Sequence, residues 1–211
     1  MKVAICTPLY GDPAARYTNC LAQLIIYTMK TRPDIELEYV SAGGHLIPTR
    51  NTVAQSALRR GADFLLWIDG DTTFPAHSLL TLLDHNLSVV GCNCPTRVAP
   101  PMPTAFRDVS GRSERVFPDP QKVSSGAIEQ ISSMGLAFCL ISASVIRRLP
   151  EGPFHPHPRN REGLGEDVKL FEDIKALGEG VFLDHALSQQ IGHMTAIAFT
   201  LASVKDPRGK R

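Results

Sequence analysis

The sequence predicts an α/β protein with a mainly parallel, doubly wound central sheet and a mixed C-terminal part. Three observations carry this. Short apolar runs alternate with stretches of helical periodicity three times within the first 95 residues, as successive strand–helix units do. One of those runs, Leu65-Leu66-Trp67-Ile68, is apolar at every position, as expected of a strand covered on both faces. Beyond residue 95 the alternation gives way to proline-rich and short strand-like pieces, so the sheet is expected to end in mixed strands. With 211 residues and 43% hydrophobic content the chain can bury one sizeable core, and no linker divides it. A single domain over residues 1–204 is therefore expected, with halves at 1–95 and 96–204 and a basic tail at 205–211.

Residues 2–6 read as the first strand, followed by the loop Thr7-Pro8-Leu9-Tyr10-Gly11. Asp12 and Pro13 predict a helix start, with an acid at the cap and proline in the first turn. Tyr17, Leu21, Leu24, Ile25 and Thr28 then recur at helical spacing. Residues 35–41 alternate as a second strand, and a helix from Thr49 to Arg60 stops at Gly61. After the third strand, Thr73 is placed to cap a helix opening at Pro75, with Leu79, Leu80, Leu82 and Leu83 as its core face. Residues 87–92 form the fourth strand. In the second half, residues 127–131 and 135–141 read as strands, and Ser142 caps a short helix ending near Leu149. A Pro, Gly, His and Arg loop fills 151–165, a helix begins at Glu166 and runs to Leu177, and 181–183 is a last strand before Ile191-Gly192-His193.

Composition narrows the function classes. A net charge of +1 gives no polyanion-binding surface, so no nucleic-acid partner is implied. No apolar run reaches the roughly 20 residues of a membrane span, and Met1-Lys2-Val3 leads into a strand rather than a signal peptide. The five cysteines fit reduced thiols in a cytoplasmic protein, and Cys92-Asn93-Cys94 is too sparse for a four-ligand zinc site.

The chemistry is expected where the third strand ends. Asp69 and Asp71, separated by Gly70, share one face, so their carboxylates can converge on one divalent cation. The same triplet also suits an Asx turn before the next helix. Glu166 and Asp167 lie in a first helical turn, where acids stabilise the helix dipole; one of them would also suit general-base work. His193 would extend the two aspartates into a set suited to Mn²⁺ more than Ca²⁺. Arg50 and Asn51 stand at a helix start that favours phosphate. His155-Pro156-His157 reads as a pair of exposed loop histidines.

Taken in order, Thr7-Pro8-Leu9-Tyr10, Arg50-Asn51, Asp69-Gly70-Asp71, Gly135-Leu136-Ala137-Phe138, Glu166-Asp167 and His193 resemble the GT-A-fold glycosyltransferases, particularly the family-2-like nucleotide-sugar transferases. The resemblance spans residues 2–194. It implies a Rossmann-like three-layer sandwich whose N-terminal half binds the nucleotide and whose C-terminal half binds the acceptor. It implies a hexosyltransferase-type enzyme that moves a sugar from a nucleoside-diphosphate sugar, UDP-sugar by default, to a hydroxyl of a sugar, lipid or protein. Pro8 and Tyr10, with Thr7, would border the base, and Arg50 and Asn51 the diphosphate or sugar. Asp71 would bind Mn²⁺ or Mg²⁺ with His193, and Asp69 would hold ribose or a metal-bound water. Met134 and Gly135 would line the sugar and acceptor pocket. Asp167, with Glu166 as second choice, would take the acceptor proton in an inverting reaction.

Two other readings remain at this point. Asp69-Gly70-Asp71-Thr72-Thr73 is similar to the nucleophile motif of haloacid dehalogenase-like Mg²⁺ phosphatases, in which Asp69 would attack phosphorus; that motif normally lies on the first strand, and here two strand–helix units precede it. The other is a nucleotide-binding protein without activity. A sugar-phosphate nucleotidyltransferase would need a glycine-rich basic first loop, and residues 7–11 hold one glycine and no base.

Overall fold

The computed structural model describes residues 1–98, 100–159 and 164–195. In chain order the first half comprises β1 (Lys2–Leu9), α1 (Ala15–Thr31), β2 (Glu36–Gly43), α2 (Leu46–Arg59), β3 (Phe64–Ile68), β4 (Thr72–Thr73), α3 (Ser78–Asp84) and β5 (Val89–Gly91). There follow β6 (Phe106–Val109), β7 (Arg112–Arg115), α4 (Pro120–Ser125), β8 (Ile128–Ile131), β9 (Phe138–Ser142) and α5 (Ala143–Arg148). The chain continues with α6 (Glu166–Ala176), β10 (Val181–Asp184), α7 (His185–Ser188) and β11 (Gly192–His193).

Strand periodicity divides the interior into two cores. Val3 and Ile5 of β1, Leu66 and Ile68 of β3, and Phe138 and Leu140 of β9 enter one core with Tyr17 and Leu24 of α1 and Leu79 and Leu82 of α3. Their alternates Ala4, Cys6, Leu65, Trp67, Cys139 and Ile141 enter the other with α2, α5 and α6. The fold is thus a helix–sheet–helix sandwich. Burial of each large side chain of β3 contributes about 2 kcal/mol, and Trp67 meets Phe154 edge-on at 5.0 Å between centroids.

Among the described residues the central sheet has seven strands in the order β2-β1-β3-β9-β5-β10-β8. β1 pairs parallel with β2 and β3, and β5 with β10, while β9 and β8 run against their neighbours. The expected mainly parallel sheet with mixed later strands is observed, and the reversed strand β9 falls between β3 and β5. A hairpin (β6–β7) and a short antiparallel ladder (β4–β11) lie outside it.

Several boundaries differ from expectation. α1 starts at Ala15, not at Asp12-Pro13, and no side chain caps it; the Ala14 N–H instead donates to the Gly70 carbonyl at 2.9 Å. α2 begins at Leu46, three residues early, because Pro48 falls in the first turn, where its missing N–H costs no hydrogen bond. α3 starts at Ser78, and Thr73 serves β4 rather than a cap. The strand expected from Gly135 begins at Phe138. All five cysteines are free thiols, four of them buried. Among the described residues no helix is long and apolar enough to cross a membrane. Residues 196–204 and the basic tail at 205–211 lie outside the described residues.

One charged cluster fastens the far edge of the sheet. Glu129 on β8 accepts hydrogen bonds from Lys122 Nζ at 2.8 Å and Arg107 Nη1 at 3.2 Å, and pairs with His185 Nε2 at 2.7 Å. Burial pushes the Glu129 carboxyl up, but these three partners outweigh it and hold it at about 2. A depressed carboxylate stabilises the fold above its unfolded value, and that stability is lost as pH falls from about 4.5 through about 2. Glu129→Gln is expected to cost about 2 kcal/mol at neutral pH and to flatten the stability profile across that acid window. Urea melts at several pH values measure both.

Candidate functional site

The third strand delivers the site. At the end of β3 the Asp69 N–H donates to the Ala137 carbonyl at 3.2 Å, and the Thr72 N–H returns to the Asp69 carbonyl at 3.0 Å. This tight turn carries Gly70 past the end of β1. A Cβ on Gly70 would come to 3.0 Å from Leu9 Cδ2, so a larger residue there would require the Leu9 side chain to shift.

The third member arrives through β4–β11. His193 pairs opposite Thr72, and the Met194 N–H donates to the Asp71 carbonyl at 2.9 Å. Gly192 permits the approach, because a Cβ there would meet Thr73 Oγ1 at 2.5 Å. One ligand atom each from Asp69, Asp71 and His193 then lies within 4.8 Å of the others.

Hydrogen bonds fix the orientation of these groups. Pro95 offers only a carbonyl, so His193 Nδ1 is the donor in that contact at 3.0 Å, and Nε2 is turned toward Asp71 Oδ1 at 3.1 Å. Asp71 Oδ2 accepts from Arg97 Nη1 at 2.5 Å. Burial alone would raise the Asp71 carboxyl, but His193 and Arg97 outweigh it and hold it below the usual carboxylate range. The same hydrogen bond to Asp71 raises His193.

With α2 starting at Leu46, Arg50 and Asn51 lie in its second turn rather than at its start, and Arg50 links this set to α6. Its side chain is 5% exposed and pairs with Asp69 Oδ1 at 3.3 Å and, closely, with Glu166. It also lies over the Phe154 ring. Asp167 accepts from the Val168 N–H at 2.8 Å. Burial first, then the charge of Glu166, raise the Asp167 carboxyl against the pull of Arg50.

A cavity of about 340 Å³ opens beside these groups, bounded by Pro8–Ala14, Leu46, Arg50, Asp69–Asp71 and Arg97. It lies beyond the carboxyl ends of β1 and β3, where open α/β sheets bind ligands. Of the residues singled out in the sequence, Pro8, Tyr10, Arg50, Asp69, Gly70 and Asp71 line it, and His193 reaches it through Asp71. Others are placed elsewhere. Thr7 is buried, with its hydroxyl on Tyr17 OH. Asn51 clamps Phe154, donating to its carbonyl and accepting from its N–H, both at 2.9 Å. Met134 belongs to the core, and Gly135 packs against Thr104. His157, expected on the surface, is buried and paired with Glu172 at 3.2 Å, whereas His155 is exposed.

Arg97 was not among the expected site residues. It is a single base in a proline-rich stretch, and its only signal is that it follows the strand leading to the same edge of the sheet.

No family model matches the sequence, and none of the curated proteins matches it. Solved structures do share the fold. The chain is similar to A197 from STIV, with 15% identity, a TM-score of 0.54, and coverage of 98% of this chain and 100% of that one. It is also similar to GalNAc-T7, whose structure was determined with UDP, GalNAc and Mn²⁺; identity is 11%, the TM-score is 0.59, and coverage is 93% of this chain. The chain spans 43% of the length of GalNAc-T7. The protein therefore has a GT-A-like fold.

Proposed function

We propose that the protein is a metal-dependent glycosyltransferase that moves a sugar from a nucleoside-diphosphate sugar to an acceptor hydroxyl. The observation that carries this is the convergence of Asp69, Asp71 and His193 beside the cavity at the ends of β1 and β3. The donor set fits a divalent cation: two carboxylate oxygens and an imidazole nitrogen whose partner nitrogen is already fixed by a backbone carbonyl. Mn²⁺ or Mg²⁺ held there would neutralise charge developing on the diphosphate leaving group.

The chain's own residues supply the rest. Pro8 and the 91% exposed Tyr10 border the cavity, where a base can lie against them. Arg50 keeps the Asp69 and Glu166 carboxylates in place, so its part is positioning rather than contact with the diphosphate. Asp167 takes the proton from the acceptor hydroxyl as that oxygen attacks the anomeric carbon, and a single displacement of this kind inverts the configuration. Glu166, tied to Arg50, is the weaker choice. Residues 1–95 would hold the donor and 96–204 the acceptor, whether a sugar, lipid or protein. The site is of hexosyltransferase type with UDP as the default nucleotide, the one present with Mn²⁺ in the GalNAc-T7 structure. The dehalogenase-like alternative loses support because Asp69 is paired with Arg50 and its strand neighbours a reversed one.

A thermal-shift screen of nucleotides and nucleotide sugars, with and without Mn²⁺, tests the reading. A metal-dependent shift confined to one nucleoside diphosphate and its sugars is expected, and no shift with any of them rejects it. Such a shift without transfer or donor hydrolysis would identify a binding protein instead.

A further inference from the structure

Among the described residues the cavity has two guanidinium groups in its lining, and they are unequal. Arg50 is almost wholly buried between Asp69 and Glu166, so it cannot turn toward a ligand without abandoning two carboxylates. Arg97 is 58% exposed and holds one carboxylate oxygen, Asp71 Oδ2. It also borders the adjoining hollow formed with Ala14, Asp71, Met194 and Thr195, so its side chain faces two open volumes.

Arg97 rises from a firm base. Pro95 bridges to Pro103, the Thr96 N–H donates to the Met102 carbonyl at 2.8 Å, and the Met102 N–H donates to Thr96 Oγ1 at 3.0 Å. These contacts fix where the side chain starts and leave its guanidinium able to swing.

Asp71 cannot serve every partner at once. Its oxygens face Arg97 and His193, and a divalent cation held by Asp69, Asp71 and His193 competes with Arg97 for the same carboxylate and repels its charge. The remaining charged lining is Asp12, Arg50 and Asp69, with Arg50 already engaged. Among the described residues lining the cavity, Arg97 is the cationic side chain left mobile enough to meet a diphosphate entering among these carboxylates.

We propose that Arg97 is an exchangeable clamp, holding Asp71 before a divalent cation binds and turning onto the donor's diphosphate once the cation takes Asp71 over. The inference rests on the donor-site reading above. Guanidinium suits the second role, because its forked donors match phosphate oxygens two at a time.

The clamp requires effects of opposite sign, measured by titration calorimetry without any turnover. Arg97→Met removes the cation's competitor, so Mn²⁺ alone should bind about threefold tighter, the scale of an exposed ion pair. UDP at saturating Mn²⁺ should bind about tenfold weaker, the scale of a lost charge-assisted hydrogen bond. Arg97→Lys should recover part of the UDP affinity. If Arg97→Met weakens Mn²⁺ binding, Arg97 merely props Asp71 and the proposal is overturned. If UDP binding is unchanged, the clamp is likewise overturned. A wild-type chain that binds Mn²⁺ and UDP while Arg97→Met matches it in both titrations overturns this inference alone. A wild-type chain that binds no Mn²⁺ overturns the donor-site reading and this inference with it. Thermal melts of each variant without ligand confirm equal folding.

Discussion

Asp71→Asn is expected to abolish the Mn²⁺-dependent shift given by a nucleoside diphosphate and to lower sugar transfer about a thousandfold. The size follows from what one carboxylate does here. Asp71 Oδ1 faces His193 and Oδ2 faces Arg97, so the amide removes a negative charge from the centre of the set while keeping its shape. An amide oxygen is a far weaker ligand for a hard divalent cation. The fold should tolerate the change, because both pairs are partly exposed and such pairs contribute about 1 kcal/mol or less. Comparing unliganded melts with Mn²⁺ titrations separates the two effects. Transfer that survives within a few-fold would remove Asp71 from the ligand set.

Asp167→Asn should lower turnover at least a hundredfold while leaving Mn²⁺ and UDP binding unchanged. Its carboxyl is raised by burial and by Glu166. The base must be ionised to act, so wild-type activity is lost as pH falls through this raised value, and the acid limb of kcat/KM lies higher than an unperturbed aspartate would place it. The amide variant should show low activity without that limb. Glu166→Gln should behave differently: it removes a partner of buried Arg50, so its main cost is stability. A few-fold loss of turnover in Asp167→Asn would place the base elsewhere.

The first half of the fold was legible because β1, α1, β2, α2 and β3 each show their own hydrophobic period. Direction was not. The apolar run at 138–142 is the same whether its strand lies parallel or reversed, and its place between β3 and β5 is decided by pairing with Phe64–Ile68 and Val89–Gly91. Local cap chemistry at Asp12-Pro13 was overridden by a distant carbonyl, that of Gly70. At the site, Asp69, Asp71 and His193 could be singled out by residue type, and the structure brings them together. Thr7, Asn51 and Met134 could not be separated from true cavity residues, because a hydroxyl bonded to Tyr17 and an amide clamping Phe154 leave no local trace. Arg97 escaped for the converse reason, since an exposed base among prolines has no period to betray its partner.

The His193–Asp71 contact closes across 122 positions of chain. On a ribosome, both aspartates and Arg50 emerge with the early strand–helix units, long before β11 exists to pair with β4. Until Gly192 and His193 dock against Thr73 and Thr72, the growing chain has two carboxylates and no imidazole beside them. Completion of the proposed third-ligand position therefore waits for β11, so the candidate cation set cannot assemble before the strands of the central sheet have been made.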